Sequence, residues 1–144
     1  MQRSPLLLLV ASLLAGAVAV SAAASSSDGS PLDGRWAFTW TAHALVKAGA
    51  GDVVSLAGPK MVEFRSGRWY KLDPRTQRVQ SVVAKFTVHG DVAYFTFLIK
   101  EPTVDSGKTY EMRFSIYRDR LTWSRVPGRA GLDALASTPW VRVG

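Results

Sequence analysis

No cysteine occurs among the 144 residues, and histidine occurs only twice, at His43 and His89. The first absence excludes a disulfide framework, a thiolate metal site and a thiol nucleophile. With two distant histidines and no His-x-x-x-His spacing, a dedicated zinc or haem site is not expected either. His89 falls in a turn and His43 at the start of a short helix, so both read as solvated surface groups. The chain also lacks a Gly-x-Ser-x-Gly elbow, a phosphate-cradling glycine loop and a dinucleotide fingerprint, which removes the common hydrolase and nucleotide chemistries. Its eleven acidic residues lie scattered, one to a strand or turn, with no spacing that suggests a carboxylate dyad. Glu63 and Glu111 are the glutamates within predicted strands, and each is expected to face water beside an arginine, Arg65 or Arg113. No run of four basic residues occurs, so specific nucleic-acid binding is not expected. These absences predict a non-enzymatic protein without cofactor.

What is present begins with Arg3 and an apolar run from Leu6 to about Val20 that ends in small residues, Ser21-Ala22-Ala23-Ala24. A charged start, an apolar middle and a small-residue end make a secretory signal, which predicts export and cleavage near Ala22 to Ala24. The alternative for this run is an uncleaved anchor. Residues 25–31, Ser-Ser-Ser-Asp-Gly-Ser-Pro, are small and polar and predict a flexible leader. About 120 residues remain after cleavage, and the folded domain is placed at 32–144, with one core and expected as a monomer. Removal of Arg3 takes 18 basic residues to 17 against 11 acidic, a net charge of +6. A surface of that sign attracts anions weakly and without specificity.

From Asp33 onward apolar and polar residues alternate with period two, the mark of strands with one buried face. Arg35–Thr41 places Trp36, Phe38 and Trp40 on one face. Ala42–Ala48 is rich in alanine and stops at Gly49, which predicts a short helix, followed by a loop to Pro59. Met61–Arg65 and Arg68–Leu72 are joined by Ser66-Gly67, a tight hairpin signal. Val82, Ala84, Phe86 and Val88 alternate with Val83, Lys85 and Thr87; the chain then returns through Val92–Ile99. Tyr110–Ile116, Leu121–Val126 and Trp140–Val143 complete eight strands, with one helical turn expected around Leu132–Leu135. The fold class that follows is all-β, an eight-stranded antiparallel up-and-down barrel with a short helix after the first strand. A barrel of eight strands has room for side chains or for one small ligand.

Gly34-Arg35-Trp36 at the head of the first strand resembles the G-x-W motif of lipocalins and the wider calycin group. The whole domain is similar to small actinobacterial secreted lipocalin-like domains, on Leu32-Asp33-Gly34-Arg35-Trp36 at one end and Pro139-Trp140 at the other. The resemblance implies that Trp36 plugs one end of a barrel beneath an arginine of the last strand, a role open to Arg142. It also implies a binding function. The chain departs from lipocalins in having no disulfide, a helix in the first loop and several short strands.

Aromatic residues are concentrated on predicted inward faces: Phe38, Trp40, Trp69, Phe86, Tyr94, Tyr110, Phe114 and Trp123. Two readings follow. They fill a narrow barrel, or Trp40, Tyr94, Tyr110, Met112, Phe114 and Trp123 surround a small apolar pocket at its open end, with Arg65 and Arg125 alternating inward to meet an anionic group. The function expected is binding of a small hydrophobic or amphiphilic ligand. The alternative is a cell-envelope module that docks an anionic polymer or a partner protein through its basic outer face.

Overall fold

The computed structural model describes residues 29–101 and 104–144; the predicted signal over 1–24 and the first part of the leader, 25–28, lie outside the described residues. The alternating segments form eight strands: β1 Gly34–Trp40, β2 Gly58–Arg65, β3 Arg68–Leu72, β4 Val79–His89, β5 Val92–Phe97, β6 Thr109–Tyr117, β7 Arg120–Arg125 and β8 Trp140–Val143. Each pairs antiparallel with the next, and β8 returns to β1, so the sheet is a closed up-and-down barrel. Closure leaves no sheet edge exposed.

Local chemistry explains the connections. Ser66 and Gly67 both take positive φ, 51° and 73°, as a two-residue hairpin turn requires. The carboxylate of Asp73 accepts the N–H groups of Arg75 and Thr76, reversing the chain between β3 and β4. After β1 the Thr41 hydroxyl accepts the Ala44 N–H and caps helix α1, Ala42–Lys47, beyond which Gly49 turns the chain at φ 86°. The segment expected to loop onward to Pro59 instead winds into a 3₁₀ turn over Gly51–Leu56, and β2 begins three residues earlier than its apolar pattern, at Gly58. A second 3₁₀ turn, Asp133–Ser137, precedes β8 where one helical turn was expected.

β4 departs from simple alternation at two places, Val83 and Gln80, of which the first affects the core. Trp69 pairs with Ala84 but Tyr70 pairs with Val82, so Val83 is an extra residue in the ladder. This bulge buries Val83 and Ala84 together and leaves Val82 only half-buried. The inward face predicted for Val82 belongs to Val83.

The end of the barrel where β1 starts is shut by Trp36 and Arg142. Trp36 is fully buried and its indole N–H donates to the Leu32 carbonyl at 2.8 Å. The Arg142 guanidinium lies over that ring, 4.3 Å from its centroid, and donates through Nη1 to the Asp33 carbonyl at 2.6 Å and through Nη2 to the Pro31 carbonyl at 3.4 Å. Gly34 sits at φ 123°, and a Cβ there would stand 2.7 Å from Arg142 Nη1. The last residues of the expected flexible leader are therefore tied down: Pro31 meets Arg142, and Ser30 accepts the N–H groups of Leu32 and Asp33.

The closed half of the interior is filled with rings. Trp140, fully buried, stacks parallel on Phe38 at 4.1 Å and meets Trp123 edge-on at 5.4 Å. Phe64, Trp69 and Phe95 pack around them. Each such ring removes roughly 150–250 Å² from water, or about 4–6 kcal/mol at ~25 cal/mol/Å², before lost conformational freedom is set against it. This aromatic packing, without a disulfide, is what holds the barrel.

Candidate functional site

Toward the other end, where β1 finishes at Trp40, the rings leave a cavity of about 370 Å³. Its walls come from Phe38 and Trp40 on β1, Val62 on β2, Trp69 on β3, Val83 on β4 and Phe97 on β5. Val53 and Leu56 of the first 3₁₀ turn and Leu132 and Leu135 around the second cover part of the opening. Leu45 of α1 packs with Val53 and Ala50 beneath this cover and fixes it to Trp40. The site is thus an apolar cup at the barrel mouth, roofed by the two connections that flank β1 and β8 in sequence.

Two lysines enter this cup. Phe38 pairs with Lys60 and Val62 with Lys71, so both lysines occupy inward positions at the mouth end of β2 and β3. Both line the cavity. The Lys60 ammonium stands 5.8 Å from the Trp40 ring centroid. Partial burial, and then the like charge of Lys71, push the Lys60 amine below the usual lysine value, against an opposing pull from Glu101. Asp133 also lines the cup, but Arg125 holds it at 3.3 Å. The indole N–H groups of Trp40 and Trp69, both in the wall, have no acceptor among the described residues. Among the described residues no cluster of three or more His, Asp or Glu side chains is placed to hold a metal.

Of the residues that sequence reasoning gathered into a pocket, the structure brings Trp40 to the cavity wall. Tyr110, Met112, Phe114 and Trp123 face inward as expected but are consumed in packing. The Tyr110 hydroxyl accepts the Asp105 N–H at 3.1 Å, and Met112 Sδ accepts the Leu132 N–H at 3.3 Å. Tyr94 is a correction. Phe95 lies opposite both Phe86 and Tyr110, which commits Ala93, Phe95 and Phe97 to the inner face of β5 and turns Tyr94 outward, edge-on to His89 at 5.3 Å. Arg65 is a second correction: it follows inward Phe64, so it points out, pairing with Glu63 at 3.1 Å and covering Tyr70. Arg125 does occupy an inward position, beyond Trp123, with its charge taken by Asp133.

The glutamates also differ from expectation. Glu63 does not face water; it is 7% exposed on the outer wall, clamped by Arg35 at 2.8 Å and by Arg65. Glu111 pairs with Arg129, and Arg113 pairs with Asp91. His43 and His89 are exposed.

Lys60 and Lys71 are the site residues that sequence reasoning missed. The signal was present, since Lys60 is two residues before Val62 and Lys71 two after Trp69, which puts both on the inner face by simple alternation. No family model, no curated protein and no solved structure matches the chain.

Proposed function

We propose that this protein is an exported, lipocalin-like binding protein that holds one small hydrophobic or amphiphilic molecule in the cup at the mouth of its barrel, and that it works by binding alone. The observation that carries the reading is the cavity of about 370 Å³ with apolar walls, which falls within the roughly 300–1,000 Å³ of small-molecule sites. The filled half of the barrel gives it a rigid floor. The stacked Trp36 and Arg142 are consistent with the lipocalin resemblance.

The test uses a neutral probe. Decan-1-ol titrated into the purified protein is expected to change tryptophan emission, through Trp40 and Trp69, with saturation at one site and little dependence on salt. No saturable change would overturn the proposal.

One observation favours the second reading. Arg65, Arg68 and Lys85 lie directly opposite one another on the outer face of β2, β3 and β4. Like charges so placed repel, and an anionic polymer laid across them would relieve that repulsion. Binding of that kind weakens steeply as salt rises, which separates it from occupancy of the cup.

A further inference from the structure

Resting on the second reading of the outer face, and independent of the cup, we propose that the outer wall docks an acidic polysaccharide, a 1,4-linked polyuronate chain laid across the strands along the row Arg65, Arg68, Lys85, Thr96 and Thr109.

The row follows from register. Arg65 lies opposite Arg68, Arg68 opposite Lys85, Lys85 opposite Thr96 and Thr96 opposite Thr109. Each sits beside buried residues, as Lys85 does between Ala84 and Phe86 and Thr96 between Phe95 and Phe97, so all five stand on the outer face. One transverse line thus crosses β2 to β6 with a hydrogen-bond donor at every position and no acid. At the ~4.8 Å spacing of paired strands it is about 19 Å long along the wall. A single acid group reaches two neighbouring side chains at most, so a line of this length calls for an extended chain of them.

The charge on the row is available to a partner. Both glutamates beside it are held by arginines outside it, Glu63 by Arg35 at 2.8 Å and Glu111 by Arg129 at 3.7 Å. Arg65 also touches Glu63, through Nη1 at 3.1 Å, but its side chain stays 56% exposed with further N–H donors. Arg68 and Lys85 are exposed and, among the described residues, meet no carboxylate. On the outer face of β2, β3 and β4 the charged residues are therefore Glu63, Arg65, Arg68 and Lys85, and positive charge exceeds negative.

The side chains of the row select among polyanions. Guanidinium forks match the planar carboxylate with two parallel bonds. Beyond Lys85 the row continues in hydroxyls: Thr96 Oγ1 and Thr109 Oγ1 stand 2.9 Å apart, a pair that both donates to and accepts from sugar hydroxyls. A polymer of acid groups alone leaves that half of the row without a match. Single-stranded nucleic acid needs open aromatic faces for its bases, and the rings beside the row are taken, Tyr70 by the Arg65 guanidinium at 4.7 Å and Tyr94 by His89.

The experiment titrates hexagalacturonate, its fully methyl-esterified form, hexapolyphosphate and hexathymidylate into the purified protein by calorimetry at low salt. Hexagalacturonate is expected to bind roughly threefold or more tightly than the other two anions, a margin of one neutral hydrogen bond, with the ester silent and the affinity falling as salt rises. Arg68→Gln and Lys85→Gln are each expected to lose roughly two- to fivefold, the worth of an exposed ion pair. Thr96→Val is expected to weaken hexagalacturonate and leave hexapolyphosphate unchanged, while Lys47→Gln, on exposed α1 away from the row, changes neither. All four variants are expected to melt with the native protein. Hexapolyphosphate bound as tightly as hexagalacturonate, or Thr96→Val binding both unchanged, overturns the sugar assignment and leaves a general anion surface. Loss in Lys47→Gln without loss in Arg68→Gln and Lys85→Gln overturns the row. Failure of every anionic probe to bind overturns the second reading itself, whatever decan-1-ol shows at the cup.

Discussion

Replacing Arg142 with alanine removes four interactions at the shut end of the barrel; the bond to the Pro31 carbonyl is long, at 3.4 Å, and the sizes of the other three set the expected cost. The guanidinium over Trp36, 4.3 Å from the centroid, contributes about 0.5–2 kcal/mol according to its desolvation. The 2.6 Å bond to the Asp33 carbonyl contributes about 1.5–3 kcal/mol as a hydrogen bond from a charged donor. The pair with Asp119 at 3.2 Å, with Asp119 72% exposed, adds at most a few tenths. Because the Arg142 side chain itself is 30% exposed, the lower halves of these ranges apply, and Arg142→Ala is expected to lower stability by about 2–3 kcal/mol. For a domain of this size that is a fall in Tm of roughly 8–12 °C, read by urea titration and thermal melting of tryptophan fluorescence.

Gly34→Ala supplies the second arm of the cycle. Its Cβ would stand 2.7 Å from Arg142 Nη1 on a backbone at φ 123°. The substitution therefore costs about 1–3 kcal/mol in backbone strain, and it also displaces the guanidinium. In the double variant the displacement term disappears, so the two costs are expected to sum to at least ~1 kcal/mol more than the measured pair. Additive costs, or an Arg142→Ala protein within about 0.5 kcal/mol of the native one, would refute the account of this end as a glycine-licensed arginine stack.

Three further outcomes follow from the outer wall and the turns. Glu63→Ala is expected to destabilise by about 1–2 kcal/mol in urea titration, less than for a fully buried pair, because Arg35 and Arg65 retain 39% and 56% exposure and stay hydrated; Tyr94→Phe in the same assay should leave stability and decan-1-ol binding unchanged. The Asp73 carboxyl is held below its usual value of 3.8 by the backbone N–H groups of Arg75 and Thr76, so its contribution is whole above 3.8 and is lost as pH falls through the lowered value. Asp73→Ala is thus expected to melt earlier than the native protein at pH 7, and the difference should shrink below pH 4.

Much of the frame is legible in the chain because it rests on period two and on turn chemistry. β3 and β8 match their predicted bounds, and the Ser66-Gly67 and Asp73-Pro74 turns sit where their residues demand. Two kinds of information were not legible. The face of β5 is set by what lies beside it: Tyr94 and Phe95 are both aromatic, and only pairing with Phe86 and Tyr110 decides which one turns in. The bulge at Val83 is likewise a property of the β3–β4 ladder, not of the VVA sequence alone. At the site, large apolar rings read as lining, yet the same size lets Phe114, Trp123 and Tyr110 fill the interior. The cavity lies where the rings stop, and lysines mark it. Their alternation pointed inward, but Lys60 and Lys71 carry charge, and charge is ordinarily read as surface.

The join between the first and last parts of the chain is thin in hydrogen-bond terms: β8 meets β7 at two residue pairs and β1 at three. What keeps the ring shut is Trp140, wedged between Phe38 and Trp123 like a keystone. Were that single indole withdrawn, the strands on either side would become open borders and the cup would lose its floor. The roundness of this molecule is therefore owed less to its ladders than to one aromatic plug near its carboxyl terminus.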